Sequence, residues 1–160
     1  MIDSQQCITI LDAMVEGFEK RLDKIKEYKS QIENRLNDDN LIIDEKMQKA
    51  INKEIAKIEK QVNNMDSKME EKQVKLLNSN HLDELEKEIC NNAKSIKADD
   101  IAFLKSLEEI VNEVKLSEVK NEIEFALNYV AICEESTLRQ KAIYEKQLNF
   151  LKEVFKEEKE

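Results

Sequence analysis

The amino-acid sequence predicts an all-α protein built from long amphipathic helices. Its 160 residues include no proline and one glycine, and charged residues make up 38% of the chain whereas aromatic residues make up 5%. Chains rich in charged residues, leucine and isoleucine, with apolar residues at helical spacing, are typical of coiled coils and elongated bundles. A fold with strands needs turn residues that this composition lacks. We therefore predict a single helical coiled-coil domain over residues 1–160.

Two apolar stripes occupy the first half of the chain, and in each the apolar residues recur every three or four positions. Residues so spaced lie along one face of a helix and need a partner helix to bury them. The first stripe lies within residues 4–36 and the second within residues 51–76. We predict that the seam of a dimer, or the contact surface for a partner, is formed by Leu11, Val15, Phe18, Leu22, Ile25, Ile51, Ile55, Ile58, Val62, Met65 and Met69.

The polar segment "LNDDNLIID", residues 36–44, separates the two stripes and allows two architectures. The stripes are offset by five residues more than a whole number of heptads, which neither a stutter of four residues nor a stammer of three explains. A turn would explain the offset, with Asp39 or Asn40 as the cap of a helix that begins at Leu41. A continuous helix is favoured, narrowly, because the segment holds neither glycine nor proline to end one.

The predicted fold class is therefore all-α, with a long antiparallel coiled coil and shorter helices that fold back on it. A three- or four-helix bundle is the alternative, and a turn at residues 37–40 would produce it. Asn80 and either Asp99 or Asp100 are further candidates for helix N-caps, because such side chains accept hydrogen bonds from free backbone N–H groups. Helices are predicted at about residues 4–36, 41–77, 81–96, 100–115 and 118–156, with the first two continuous in the coiled coil.

The charge balance argues against two classes of partner. The chain has 26 basic and 35 acidic residues and a net charge of −9. Among the four successive segments of 40 residues, only 41–80 has more basic than acidic side chains, and only by one. No basic stripe is therefore available to bind phosphates. We expect no nucleic-acid binding and no binding to anionic membranes. No apolar run is long enough to span a bilayer and no signal peptide is recognisable.

The candidate reactive residues do not form a recognisable catalytic or metal site. Cys7, Cys90 and Cys133 are odd in number and widely spaced, which is typical of reduced thiols in the cytoplasm, where we expect this protein. His81 is the only histidine, and one histidine with three scattered cysteines matches no usual zinc spacing. Cys133 as a nucleophile would need a lowered thiol pKa. We expect no enzymatic activity, no cofactor and no metal.

Three stretches together resemble the coiled-coil region that follows the B-box in tripartite-motif (TRIM) proteins. They are the charged helix "DAMVEGFEKRLDKIKEYKSQIE", its continuation "KMEEKQVKLLNSNHLDELEKEI" and the segment "DDIAFLKSLEEIVNEV". The resemblance covers about residues 8–115 and implies an antiparallel dimer with helices that fold back on it. No RING cysteines and no B-box zinc ligands precede the first helix, so the resemblance implies dimerisation and spacing but no ubiquitin-ligase chemistry.

These observations lead to two functional hypotheses. The first is a non-catalytic, homodimeric scaffold that spaces or joins partner proteins through coiled-coil surfaces. Two long and narrow stripes with few aromatic residues favour it, because they would make a lean core for a monomer. The second is a monomeric acidic bundle that acts as an adaptor or an inhibitor by binding a partner protein. The phase offset and the acidic balance favour this alternative.

Overall fold

The chain is all-α in a computed structural model that describes residues 4–159. The four helices are α1 (Ser4–Arg35), α2 (Glu45–Lys75), α3 (Leu82–Leu116) and α4 (Lys120–Lys159), and a single turn of 3₁₀ helix, Ser79–His81, precedes α3. The helices pack as a bundle. The all-α prediction is confirmed.

Helices α1 and α4 form the central pair of the bundle and share its largest helix–helix interface. They are antiparallel, because residue numbers fall in α1 as they rise in α4 along their contacts. The contacts that establish this direction are Lys29–Glu134, Glu19–Lys141 and Phe18–Tyr144. The remaining helices lie outside this pair, α3 against α1 and α2 against α4.

Helix α2 runs parallel to α4, with an almost constant offset in residue number. The contacts that show the shared direction are Gln48–Asn121, Asp66–Arg139 and Gln73–Gln147. Helix α3 likewise runs parallel to α1, because residues 7–18 of α1 share a cluster with residues 85–89 of α3 and residues 25–32 share one with residues 107–114. Between the two clusters, Arg21 and Asp100 form an ion pair at a distance of 2.6 Å. Each connection between successive helices therefore crosses an end of the bundle, since sequential helices alternate in direction.

The buried apolar side chains form two clusters, one towards each end of the bundle. The cluster nearer the chain termini includes Cys7, Leu11, Phe18, Leu85, Ile89, Tyr144, Leu148 and Leu151. The cluster nearer the connection between α3 and α4 includes Ile25, Ile32, Leu107, Val111, Val114, Ile123, Ala126 and Val130. Both draw on α1, α3 and α4, so three helices provide the fully buried apolar core.

The helix boundaries differ from the expected ones at two places. The predicted helices 81–96 and 100–115 are one continuous helix, α3. Asp100 does not cap a helix there, because its carboxylate instead accepts a hydrogen bond from Arg21 Nε. Helix α2 begins after Asp44, whose side chain accepts from two backbone N–H groups, at 3.1 and 3.2 Å. The predicted caps Asp39 and Asn40 lie in the loop before it.

Residues 36–44 form a turn that needs no left-handed residue. None of the described residues has a positive φ, and this includes the single glycine, Gly17. Asp38 Oδ1 accepts from the N–H of Asn40 at 2.9 Å, and its other oxygen pairs with Arg35 at 2.7 Å. The Asn40 N–H, followed by the Arg35 guanidinium, lowers the pKa of the Asp38 carboxyl from its usual value.

The turn is held from outside by the connection between α3 and α4. Ile42 and Val119 form a parallel β-bridge, in which the Ile42 N–H donates to the carbonyl of Glu118 and the Lys120 N–H donates to the carbonyl of Ile42, both at 2.7 Å. Arg35 Nη2 also donates to the Ser117 carbonyl. These partners are about 80 residues away in sequence, so the turn depends on the assembled bundle.

Asn121 joins the same turn to the start of α4 through both ends of its buried side-chain amide. Its oxygen accepts from the Asp44 N–H at 2.7 Å, and its nitrogen donates to Gln48 Oε1 at 2.6 Å. Asn121→Ala should lower the free energy of unfolding by about 1–3 kcal/mol, because it leaves buried polar groups without a partner. Chemical denaturation measures this loss. Asn128→Ala, at an exposed position of α4, is the control, and an equal effect of the two changes would contradict the role given to Asn121.

Candidate functional site

Helix α2 is attached to the bundle differently from the other three helices. Its two buried side chains are polar, Asp66 and Gln73. The Asp66 carboxylate accepts from Arg139 Nε at 3.0 Å, and a second Arg139 nitrogen donates to Asn63 at 2.9 Å. The apolar side chains of α2 are at most half-buried. This helix therefore leaves apolar surface accessible along its length.

The structure separates the eleven predicted interface residues by helix. In α1, the side chains of Leu11, Phe18, Leu22 and Ile25 are buried within the chain, and Val15 is half-buried. In α2, five of the six are half-buried, and Met65 is 70% exposed. Their participation in a seam between two chains stays a prediction, and the residues of α2 are the more accessible ones.

Helices α2 and α3 approach each other at one end of the bundle only. Among the described residues, the hydrogen bonds and ion pairs between these helices join Lys72 or Gln73 to Glu88 or Asn92, next to the connecting turn. Towards the other end, the two helices form opposite walls of a groove, and α4 lies beneath it. The groove results from this splayed arrangement of α2 and α3.

The groove encloses about 640 Å³ and is lined by two turns from each of three helices. Most of its lining is apolar. Phe125, Ala126 and Tyr129 of α4 form the floor, and Ile51 is the one predicted interface residue that lines a wall. The complete lining is Met47, Ala50, Ile51, Glu54, Ile110, Glu113, Val114, Ser117, Glu122, Phe125, Ala126 and Tyr129.

Charged side chains in the groove are all acidic. Glu54 belongs to α2, Glu113 to α3 and Glu122 to α4, and no lysine or arginine is among the lining residues. Glu122 Oε2 accepts from Ser117 Oγ at 2.8 Å. Three large apolar side chains near the same end are strongly exposed, Ile42 at 57%, Ile43 at 63% and Leu116 at 85%. The surface thus combines apolar area with negative charge. It suits a partner that offers apolar side chains together with positive charge.

The candidate reactive residues lie apart from one another. His81 is at the start of α3 with Nδ1 3.5 Å from a Glu84 oxygen, and Cys133 is half-buried in α4. Within residues 4–159, no cluster of three or more His, Cys, Asp or Glu side chains could hold a metal ion. No helix in that part of the chain has the length and apolar character needed to cross a membrane.

Burial raises the pKa of the Cys133 thiol to about 11, and a hydrogen bond with Tyr129 opposes this shift only in part. A nucleophilic cysteine needs the opposite shift. At pH 8, alkylation of Cys133 by iodoacetamide should be on the order of 100-fold slower than for an ordinary thiol, because two pKa units remove that much thiolate. Mass spectrometry of the modified peptide measures the rate. The same residue in denaturant is the control, and equal rates in the two states would contradict the assignment.

Apart from Ile51, the residues that line the groove were not among the predicted interface residues. Phe125 and Tyr129 lie in the near-apolar stretch "FALNYVAIC", where their spacing of four residues already places them on one helix face. That signal identifies an apolar face but not which helix covers it. Gln73, which lies outside the groove and joins α2 to its neighbours, carried no signal, because a polar residue beside a stripe is ordinarily exposed.

Comparison of the chain with protein-family models, with curated proteins and with solved structures found no match.

Proposed function

We propose that this chain is a non-catalytic interaction module that joins partner proteins through its helical surfaces. The observation that carries the proposal is the apolar groove between α2 and α3, floored by Phe125 and Tyr129. The fully buried residues of both apolar clusters belong to α1, α3 and α4, so the open surface of the groove is not needed for the packing of these three helices. An open apolar surface of this kind, rimmed by polar residues, is typical of a protein-binding site.

A photo-crosslinking amino acid placed at Glu54 tests this function. Glu54 lies at the rim of the groove and is exposed, so the replacement leaves the fold intact. Irradiation in the native cells should give discrete adducts of higher mass from position 54. The matched control is the same amino acid at Glu16, an exposed position of α1. Identical patterns at the two positions, or no adduct at position 54, would overturn the proposal.

A homodimeric scaffold is the second candidate, and the incomplete burial of the α2 stripe favours it. Ile55, Ile58 and Val62 are half-buried in the single chain, so a second copy would cover them further. The resemblance to TRIM coiled coils supports the same arrangement. If residues 36–44 straightened, α1 and α2 would form a rod on the order of 110 Å long, at about 1.5 Å per residue.

Small-angle scattering with an absolute mass separates the two candidates. The homodimer predicts a doubled mass and, for the rod, a greatly increased maximum dimension. An interaction module that is monomeric predicts the mass of one chain and the dimensions of a single bundle. A mass of one chain at every concentration from about 1 to about 100 µM would exclude the homodimeric scaffold, because a dimer with a micromolar dissociation constant would form in this range.

A further inference from the structure

We propose that the groove binds an amphipathic helix of another protein, and that lysine or arginine residues flank the apolar face of this helix. This inference rests on the proposed function and adds the chemistry of the partner. It concerns only the end of the bundle where α2 and α3 diverge, and it is carried by the shape, the lining and the charge of the groove.

The shape suits a helix of a few turns. The groove follows residues 47–54 of α2, the end of α3 with its C-cap (110–117) and residues 122–129 of α4, which is about 12 Å along each at about 1.5 Å per residue. A helix laid between α2 and α3 would rest on α4 and restore, at this end, the side-by-side helix packing found at the other. Helix-in-groove recognition uses apolar anchors at positions i, i+3 or i+4, and i+7, which two turns can accept.

The lining is suited to apolar anchors. Phe125 and Tyr129 stand one helical turn apart on the floor, so an anchor can lie between their rings. Met47 and Ile51 stand one turn apart on the α2 wall. Methionine is unbranched and adapts to varied anchor shapes. Exposed Leu116 extends the apolar surface next to the α3 wall.

The charge of the groove selects the flanks of the bound helix. Glu54 and Glu113 stand on opposite walls, and neither is within ion-pair distance of a basic group among the described residues. A helix with basic flanks would place a positive charge against each wall, whereas acidic flanks would face like charge. A second copy of this chain, at a net charge of −9, is disfavoured for the same reason.

A displayed library of 18-residue amphipathic helices tests the proposal on the full chain. Leucines fixed at i, i+3, i+4 and i+7 supply the anchors, and the flanking positions vary among lysine, glutamate, glutamine and serine. The helices selected by the wild-type chain should carry lysine at the flanks. The affinity of the selected peptides is then measured by fluorescence anisotropy for the wild type and two variants with the same change in net charge.

The double variant Glu54→Lys plus Glu113→Lys should bind the selected peptides at least about tenfold more weakly, because it places like charge on both walls. The control, Glu16→Lys plus Glu153→Lys, changes two exposed glutamates outside the groove and should stay within about twofold of the wild type. Both pairs are exposed, so circular dichroism should show the same helix content in all three proteins.

Enrichment of acidic or neutral flanks, an equal loss with both variants, or no enrichment would each overturn the inference. A doubled mass that the groove variant abolishes would identify a second copy as the occupant and would overturn it as well. The photo-crosslinking experiment at position 54 detects any partner that occupies the groove and does not select for charge. Specific adducts without selection of basic helices would therefore reject the basic helix while leaving the interaction module in place.

Discussion

Replacing Phe18 with alanine should lower the free energy of unfolding by about 3–5 kcal/mol. Phe18 is 1% exposed and belongs to the apolar cluster nearer the chain termini. Its ring stacks on Tyr144 of α4 with centroids 5.7 Å apart, and the Arg21 guanidinium lies 5.1 Å from its centroid. The substitution would remove the stacked pair and leave a cavity in the central α1–α4 interface.

Urea denaturation followed by circular dichroism measures the loss. Leu138→Ala, at a position 50% exposed on α4, is the control and should cost about 1 kcal/mol or less. The dependence on protein concentration adds information, since Phe18 is also a predicted interface residue. If Phe18 packs within one chain, the loss caused by Phe18→Ala is the same at every protein concentration, whether or not the chain dimerises elsewhere. A loss under about 1 kcal/mol, or a loss that shrinks on dilution, would contradict burial within the chain.

The architecture of α1 was largely predictable because its buried face consists of apolar residues. Leu11, Phe18 and Ile25 recur at intervals of seven and are all at most 1% exposed. A regular apolar stripe identifies both a helix and its buried face, whatever the helix packs against. The same reasoning identified the all-α class, since no other fold suits such spacing without turn residues.

Beyond Val62, α2 buries polar residues against the other helices of its own chain, which its apolar stripe does not indicate. Met65 belongs to the stripe and is 70% exposed in the single chain, whereas Asp66 is 6% exposed. Residues 65 and 66 point in directions that lie about 100° apart around the helix axis. Burial of Asp66 depends on Arg139, which lies in another helix and far along the chain. The sequence of α2 alone therefore does not indicate that Asp66 is buried.

The turn at residues 36–44 was predicted only as the alternative to a continuous helix. Helices usually end at glycine or before proline, and the segment has neither. The chain turns because its backbone and side chains bond to residues 117–121, through the Ile42–Val119 bridge and the amide of Asn121. The groove has a similar origin, because it depends on how far α2 and α3 diverge after their shared turn. Tertiary contacts, rather than local propensity, determine both features.

Replacing Gln73 with leucine should lower the free energy of unfolding by about 2–4 kcal/mol. Gln73 is 3% exposed and connects α2 to both neighbouring helices. Its side-chain oxygen accepts from Gln147 Nε2 at 2.8 Å and from Asn92 Nδ2 at 3.3 Å. Gln147 is fully buried, and its own Oε1 has no hydrogen-bond partner among the described residues. After the change, neither end of the Gln147 amide would have a partner.

The double variant Gln73→Leu plus Gln147→Leu should recover most of this loss, to within about 1 kcal/mol of the wild type. Leucine at both positions removes the buried amides together, so no unpaired polar atom of this pair remains. The expected coupling between the two sites is about 1–3 kcal/mol, which a double-mutant cycle measures by chemical denaturation. Strictly additive losses would show that the amides do not act as a pair.

Lys72→Leu is the matched control, because residue 72 continues the stripe spacing, three positions after Met69 and four before Leu76. The side chain of Lys72 is 68% exposed and forms an ion pair with Glu88 at 3.1 Å. Its replacement should change the free energy of unfolding by less than about 1 kcal/mol. Stabilisation by Lys72→Leu, together with a negligible effect of Gln73→Leu, would mean that α2 faces the bundle in the other register. In that case Asp66 would also be exposed, and Asp66→Ala would have little effect.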